Sequence, residues 1–83
     1  MLFMSLLSPT PKGKGKEAIA YLKKVKAPRG ITIHDVYVTF GRYNGVLVFE
    51  APDAKKAMNF VVDIGTETGY LVETLGAVPA NEV

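Results

Sequence analysis

Two glutamates and a tyrosine are the residues of this chain whose types and spacing best suit acid–base chemistry. Glu50 ends the apolar run Gly45–Phe49, and Glu73 lies in the alternating segment Tyr70–Val78. If both carboxylates lie on an apolar sheet surface beside Tyr37, they can exchange protons with a bound molecule. The alternative is that both are solvated at a rim or are paired with basic groups of a second copy.

Other reactive arrangements are missing from the sequence. The chain has no cysteine and a single histidine, His34, which is followed by Asp35. A metal site needs several ligands, and nucleophilic catalysis needs a paired base, so neither has a signature here. We therefore expect no metal site and no cofactor, and we interpret His34 as a surface residue at the start of a strand.

The basic residues are concentrated in one segment. Seven of the ten lysines and arginines fall within Lys12–Arg29. The Gly/Lys run Lys12–Lys16 lacks the glycine spacing and the following Ser or Thr of a phosphate-binding loop. A nucleic-acid contact through Lys16, Lys23 and Lys24 is one hypothesis. The segment carries one aromatic residue and no recognised nucleic-acid motif, which favours a solvated lysine face.

Length and composition indicate one small domain that associates with itself. The 83 residues are 48% hydrophobic, with a mean hydropathy of +0.17. A chain of this size buries a modest share of its surface alone, so the excess of apolar residues predicts a surface covered by another copy. The absence of cysteine fits a reducing cytoplasm. The apolar start Met1–Leu7 is too short for a membrane span and lacks the features of a signal peptide.

Hydrophobic periodicity predicts four strands and two helices. Apolar alternation and continuous apolar runs indicate strands, and apolar residues at helical spacing indicate helices. Asp53 is expected to cap the second helix, which should end between Gly65 and Gly69. The predicted strands are Leu2–Leu7, Ile31–Phe40, Val46–Ala51 (or from Tyr43) and Tyr70–Val78; the predicted helices are Lys16–Ala27 and a helix that starts at Pro52-Asp53.

This order, βαββαβ, predicts the α+β ferredoxin-like fold: an antiparallel four-stranded sheet with both helices on one face. Strands one and three are expected at the centre. The hairpin between strands two and three has two candidate connections, a four-residue loop at Gly41–Asn44 and a type I′ turn at Asn44-Gly45. We prefer the first. The domain is expected to span residues 1–79, followed by a flexible tail, 80–83.

The strand pattern predicts which side chains lie on the face away from the helices. Glu50 and Glu73 are placed there because a carboxylate does not fit the packed face. The first strand offers two alternating sets, and we choose the set that contains Ser5, because a hydroxyl fits the open face more easily. The expected lining is Ser5, Tyr37, Thr39, Val46, Val48, Glu50, Leu71, Glu73 and Leu75.

The hairpin and the last strand resemble the GYD domain family from about Tyr37 to Val78. The residues that carry the resemblance are Gly41, Tyr43, Glu50–Asp53 and Glu73–Leu75. Asn44 stands where the family usually has aspartate, which removes a charge from the turn. The resemblance implies a ferredoxin-like domain that pairs into a dimeric α/β barrel with the two sheets facing each other. It implies no particular activity.

These observations predict a cytoplasmic homodimer that binds a small molecule or a protein partner between its sheets. The expected ligand-binding residues are Ser5, Tyr37, Thr39, Tyr43, Glu50 and Glu73. One alternative is a small cofactor-independent enzyme of the barrel monooxygenase type, with Glu50, Glu73 and Tyr37 as candidate catalytic residues. The other is a nucleic-acid accessory protein that uses the basic first helix. We expect binding without catalysis and leave the enzymatic alternative open.

Overall fold

The structure is a computed structural model that describes residues 1–83. The chain forms four strands, two helices and a terminal 3-10 turn. The strands are β1 (Leu2–Ser8), β2 (Thr32–Val38), β3 (Gly45–Glu50) and β4 (Leu71–Ala77); the helices are α1 (Lys16–Lys23) and α2 (Ala54–Thr68). Residues Ala80–Glu82, expected to be a flexible tail, form the 3-10 turn.

The four strands form one antiparallel sheet in the order β2-β3-β1-β4. Strands β1 and β3 are therefore central, as the sequence predicts. Side chains of both helices, including Leu22 of α1 and Phe60 of α2, join a single core cluster with one face of the sheet. The α+β class and the βαββαβ order of the ferredoxin-like fold are confirmed.

Aromatic side chains fill the space between the sheet and α2. The rings of Phe3 and Phe49 stack with their centroids 5.5 Å apart, and Phe60 meets Phe49 edge to face at 5.0 Å. Leu7 and Leu47 are fully buried beside them. This side of the sheet is closed in a single chain, because the helices cover it completely enough to exclude water from its central residues.

Both ends of α2 form as the sequence predicts. The Asp53 carboxylate accepts a hydrogen bond of 2.8 Å from the amide of Lys56, which satisfies a free donor of the first turn. Gly69 ends the helix in the left-handed conformation, with φ of 71°. A Cβ at this position would also collide with the main-chain oxygen of Lys12, so glycine is required twice over.

The first helix is shorter than predicted. It ends at Lys23 instead of Ala27, and residues 24–28 continue as an irregular segment. The Gly/Lys run Lys12–Lys16, expected to be a mobile loop or a frayed turn, is held by α2. The amide of Lys14 donates to the carbonyl of Thr68 at 3.0 Å, and the hydroxyl of Thr10 donates to the carbonyl of Gly69 at 2.6 Å. Lys14 of this run and Thr10 just before it therefore satisfy carbonyls that the end of α2 leaves free.

The strand β2 is shorter than predicted and contains a β-bulge. The register shifts between Ile33 and Asp35, so His34 is the extra residue. The bulge places Ile33 and Val36 on the same side, where both pack against the core. Without it, period-two alternation would turn Ile33 to the opposite face.

The hairpin tip lies one residue earlier than the preferred connection. The amide of Thr39 donates to the carbonyl of Asn44 at 3.1 Å, so the tip is Phe40–Tyr43. Gly41 adopts φ of 115°, and no other type of residue has a positive φ. The competing prediction of a type I′ turn at Asn44-Gly45 is wrong, because that turn needs a positive φ at Asn44 and no residue other than glycine has one.

Candidate functional site

The sheet face away from the helices is covered by apolar side chains that the single chain leaves accessible. We call it the open face, and define it by Leu2, Met4, Leu6, Tyr37, Val46, Val48, Glu50, Leu71, Glu73 and Leu75. Leu71 is 64% exposed and Leu75 is 45% exposed, and the apolar residues of β1 and β3 are half-buried between their neighbours. The predicted orientation of β3 and β4 is confirmed, since Leu47 and Phe49 of β3 are buried on the helix side and Val72 of β4 packs against the core.

Charge on this face has one sign. The strands contain three acidic residues, Asp35, Glu50 and Glu73, and no lysine or arginine. Strand register places Asp35 opposite Val48, so all three carboxylates belong to the open face. The face therefore attracts cations and hydrogen-bond donors more readily than anions.

The expectation that Ser5 lies on the open face is wrong. Ser5 is 1% exposed and faces the helices together with Phe3 and Leu7. Its hydroxyl shares a hydrogen bond of 2.9 Å with the hydroxyl of Thr74 on the neighbouring strand. That partner satisfies the buried hydroxyl, which is why the packed face accepts it. The open-face set of β1 is consequently Leu2, Met4 and Leu6, which makes this face more apolar than the sequence predicts.

Glu50 and Glu73 flank β1 on its two sides, but they are not level. Glu50 pairs with Leu2, whereas Glu73 pairs with Leu6. The offset along β1 is about 13 Å, in addition to about 10 Å across the strands, at the usual spacings of a sheet. The two carboxylates of one chain are therefore too far apart to act on the same proton.

The remaining predicted residues lie near the hairpin end of the sheet. Tyr37 pairs with Val46 and presents its ring on the open face. The hydroxyl of Thr39 donates to the carbonyl of Tyr43 at 2.7 Å, so it fixes the hairpin tip. The guanidinium carbon of Arg42 lies 5.5 Å from the centroid of the Tyr43 ring. Thr39 and Tyr43 thus stabilise the tip and are half-buried there.

Glu50 lies at the other end of the open face, where the sheet meets the C-terminal turn. Its Oε2 is 3.5 Å from Nε2 of His34, so the bulge in β2 brings the only histidine to this carboxylate. A shallow cleft of about 280 Å³ adjoins Glu50 and also contains Glu82. Its walls are otherwise mainly apolar: Met1, Leu2, Ala77, Val78 and Pro79. Sequence reasoning missed Glu82, because no local pattern shows that the tail folds over this end.

Asn44 has a buried side-chain acceptor without a donor. The main-chain amide of Asn44 donates to the carbonyl of Leu7 at 2.7 Å. The side-chain Oδ1, in contrast, is buried and accepts no hydrogen bond. A charged carboxylate in the same place would be buried without a partner at a higher cost. The single chain therefore has a physical reason to carry asparagine, where the resemblance leads us to expect aspartate.

The candidate catalytic residues do not come together in one cluster. No three His, Cys, Asp or Glu residues lie close enough together to hold a metal ion. The candidate catalytic residues Glu50, Glu73 and Tyr37 share the open face, but they occupy different strands and different levels of it. What they have in common is an apolar surface with acceptor groups along its margins.

The basic first helix lies on the opposite side of the sheet. Lys16, Lys23 and Lys24 line a shallow cleft of about 290 Å³ with Ile19 and Ala20. This lysine face and the open face are therefore separate surfaces with opposite charge. Neither helix of the chain combines the length and the apolarity needed to cross a lipid bilayer.

Comparison with known proteins supports the resemblance. A family model described as GYD domain matches residues 8–83, which is nearly the whole chain. No curated protein and no solved structure matches the chain. The match extends further towards the N-terminus than Tyr37, so it includes α1 and β2 as well as the hairpin.

Proposed function

This chain belongs to the GYD domain family, and on that basis we propose that it is a binding module that dimerises through its open face. The two sheets would face each other and enclose a cavity between them. The cavity would bind an apolar molecule that carries a cationic or hydrogen-bond-donating group. The role proposed is capture of a small molecule without chemical conversion.

The observation that carries the proposal is the open face itself. It presents apolar side chains from all four strands, yet a single chain forms no deep cavity over them. An apolar patch this continuous is uncommon on a monomer and marks an interaction surface. A second copy would bury it, and the gap between two twisted sheets would provide the concavity that one sheet lacks.

Charge at the margins supports the choice of ligand. Acidic groups are the only charged side chains that the strands contribute, and the cleft beside Glu50 adds a second carboxylate from Glu82. A ligand amine placed there would gain a charge-assisted hydrogen bond, whereas a ligand carboxylate would be repelled.

The association is tested by measuring the solution mass by light scattering. Val48→Lys puts a charge at the centre of the open face and should halve the mass of the assembly. Val62→Lys is the matched control, because Val62 is exposed on α2, away from the open face. Equal masses for the wild type and the Val48→Lys variant would contradict the proposal.

The ligand class is tested with two probes that share an apolar body. Phenethylamine and phenylpropionate differ mainly in the sign of their charge, and thermal melting reports binding to the folded state. We expect the amine to raise Tm with the logarithm of its concentration and the carboxylate to have no effect. Glu50→Gln should weaken the response to the amine about 10-fold or more, which is the loss of one charged hydrogen bond. A response to the carboxylate, or to neither probe, would overturn the proposed ligand class.

A further inference from the structure

A second surface of the chain combines a free strand edge, an apolar cleft and a projecting phenylalanine. The strand β2 is at one edge of the sheet, so one of its sides has no neighbour. A cleft of about 370 Å³ runs beside it on the helix side; its lining is Leu22, Lys23, Val25, Ala27, Ile33, Val36 and Val38. Phe40, two residues beyond β2, is 99% exposed.

The cleft exists because α1 ends early. The four residues after Lys23 that the sequence assigns to the helix form an irregular segment instead, so only the end of α1, with Leu22 and Lys23, reaches the β2 side of the sheet. The bulge at His34 adds to the effect by turning Ile33 to the same side as Val36. The side chains of Ile33, Val36 and Val38 therefore lie together on the helix side of β2, where the rest of the chain covers them incompletely.

The free edge has main-chain groups available for pairing. The amide of Thr39 points to β3, because it donates to Asn44. Alternation along an antiparallel strand then turns the amides and carbonyls of Val36 and Val38 outward. No proline, lysine or arginine protects the strand, and the bulge at His34 limits only its first half.

We propose that β2 pairs with β2 of a second copy across a two-fold axis, and that Phe40 of each copy enters the other copy's cleft. The occupant is a second copy because the same short segment supplies both the projecting side chain and the cleft that receives it. This self-complementarity is what a two-fold interface requires.

The geometry follows from the positions of the outward groups. Antiparallel pairing of Val36 with Val38 of the second copy makes four backbone hydrogen bonds, with Tyr37 on the axis. In this register Phe40, which follows β2, lies opposite His34 of the second copy and next to Ile33 of its cleft. The result is an eight-stranded sheet with all its helices on one side.

This interface leaves the open face free. Pairing at the edge extends the sheet in its own plane, whereas the open-face dimer proposed above stacks one sheet on another. The two contacts can therefore coexist, and together they produce a tetramer. The other edge strand, β4, has a cleft of about 330 Å³ beside it but no projecting aromatic residue, so it is not self-complementary.

The experiment compares solution masses of four full-length proteins: wild type, Phe40→Ser, Val48→Lys and the double variant. We expect a tetramer, two dimers and a monomer, respectively. Met58→Ser is the control for removing an exposed apolar side chain elsewhere. Val38→Pro is an independent variant that should act like Phe40→Ser. It removes the main-chain amide of residue 38, which points outward and forms no hydrogen bond within the sheet.

The outcomes separate the two interfaces. A wild-type dimer that Phe40→Ser splits and Val48→Lys does not would support edge pairing and overturn the open-face proposal. A wild-type dimer split only by Val48→Lys would overturn edge pairing and leave the open-face proposal standing. A monomeric wild type would overturn both.

Hydrogen exchange gives a readout that does not depend on the mass. The amides of Val36 and Val38 should be protected in the wild type and exchange rapidly in Phe40→Ser, while the amide of Thr39 stays protected in both. Rapid exchange of Val36 and Val38 in the wild type at the same protein concentration would overturn the inference.

Discussion

Both faces of this sheet carry many apolar side chains, but the chain buries only one of the two. Neighbouring residues of β3 show the contrast, since Phe49 is fully buried among aromatic rings and Val48 is half-buried on the open face. On the helix side, even the hydroxyl of Ser5 is paired. On the open side, Leu71 and Leu75 remain exposed.

The difference shows that the centre of one face is covered within the chain, whereas the other face is left uncovered. A chain of 83 residues has only two helices to cover its sheet, and both lie on the same side. Apolar residues that the fold does not need for its own core are an indication of association. Three predictions test how far this contrast extends.

The largest expected effect comes from truncating a side chain on the face that the helices cover. Phe49→Ala removes a ring that contacts both Phe3 and Phe60, and it should lower the free energy of unfolding by about 3–5 kcal/mol. Val48→Ala should act mainly through association, so its effect should depend on protein concentration. Chemical denaturation at several concentrations measures both. A concentration-independent loss of the same size in the two variants would remove the contrast.

A smaller effect is expected from the buried hydroxyl. Ser5→Ala breaks the bond to Thr74 and should cost about 1 kcal/mol, the usual contribution of one neutral hydrogen bond. Ser8→Ala is the matched control, because Ser8 ends β1 and is half-buried. Equal unfolding midpoints for Ser5→Ala and wild type would mean that the hydrogen bond between Ser5 and Thr74 adds nothing to the stability of the fold.

The smallest effect concerns Tyr21, which packs against the core from α1. Burial raises the pKa of Tyr21, and the carboxylates of Glu67 and Asp63 raise that pKa further. The unfolded chain therefore releases the phenolic proton at about pH 10, before the folded protein does. Stability should be unaffected below that pH and should decline as the pH rises above it.

Tyr21→Phe isolates this contribution from the titration of the lysines. The difference in unfolding midpoint between the variant and wild type should be constant up to about pH 9 and should then shift in favour of the variant. Thermal melting across pH 8–11 measures it. A constant difference over the whole range would show that the Tyr21 hydroxyl is equally solvated in the folded and unfolded states.

Much of the fold was predictable because it depends on local signals. The apolar run of β1, the Asp53 cap, the glycine that ends α2 and the alternation of β3 and β4 each depend on a few adjacent residues, and all four are confirmed. The candidate site was predictable only in part. Val46, Val48, Glu50, Leu71, Glu73 and Leu75 lie where the sequence placed them, whereas Ser5 does not and Glu82 was not considered.

What the sequence by itself determined was the order of the elements, the family and the overall excess of apolar residues. Only the tertiary structure decided which alternating set of β1 faces the helices, where the bulge in β2 falls and how far apart Glu50 and Glu73 lie. These depend on pairing between strands that are distant along the chain. Ser5 is buried because Thr74, 69 residues away, supplies its hydrogen bond, and no local pattern contains that partner.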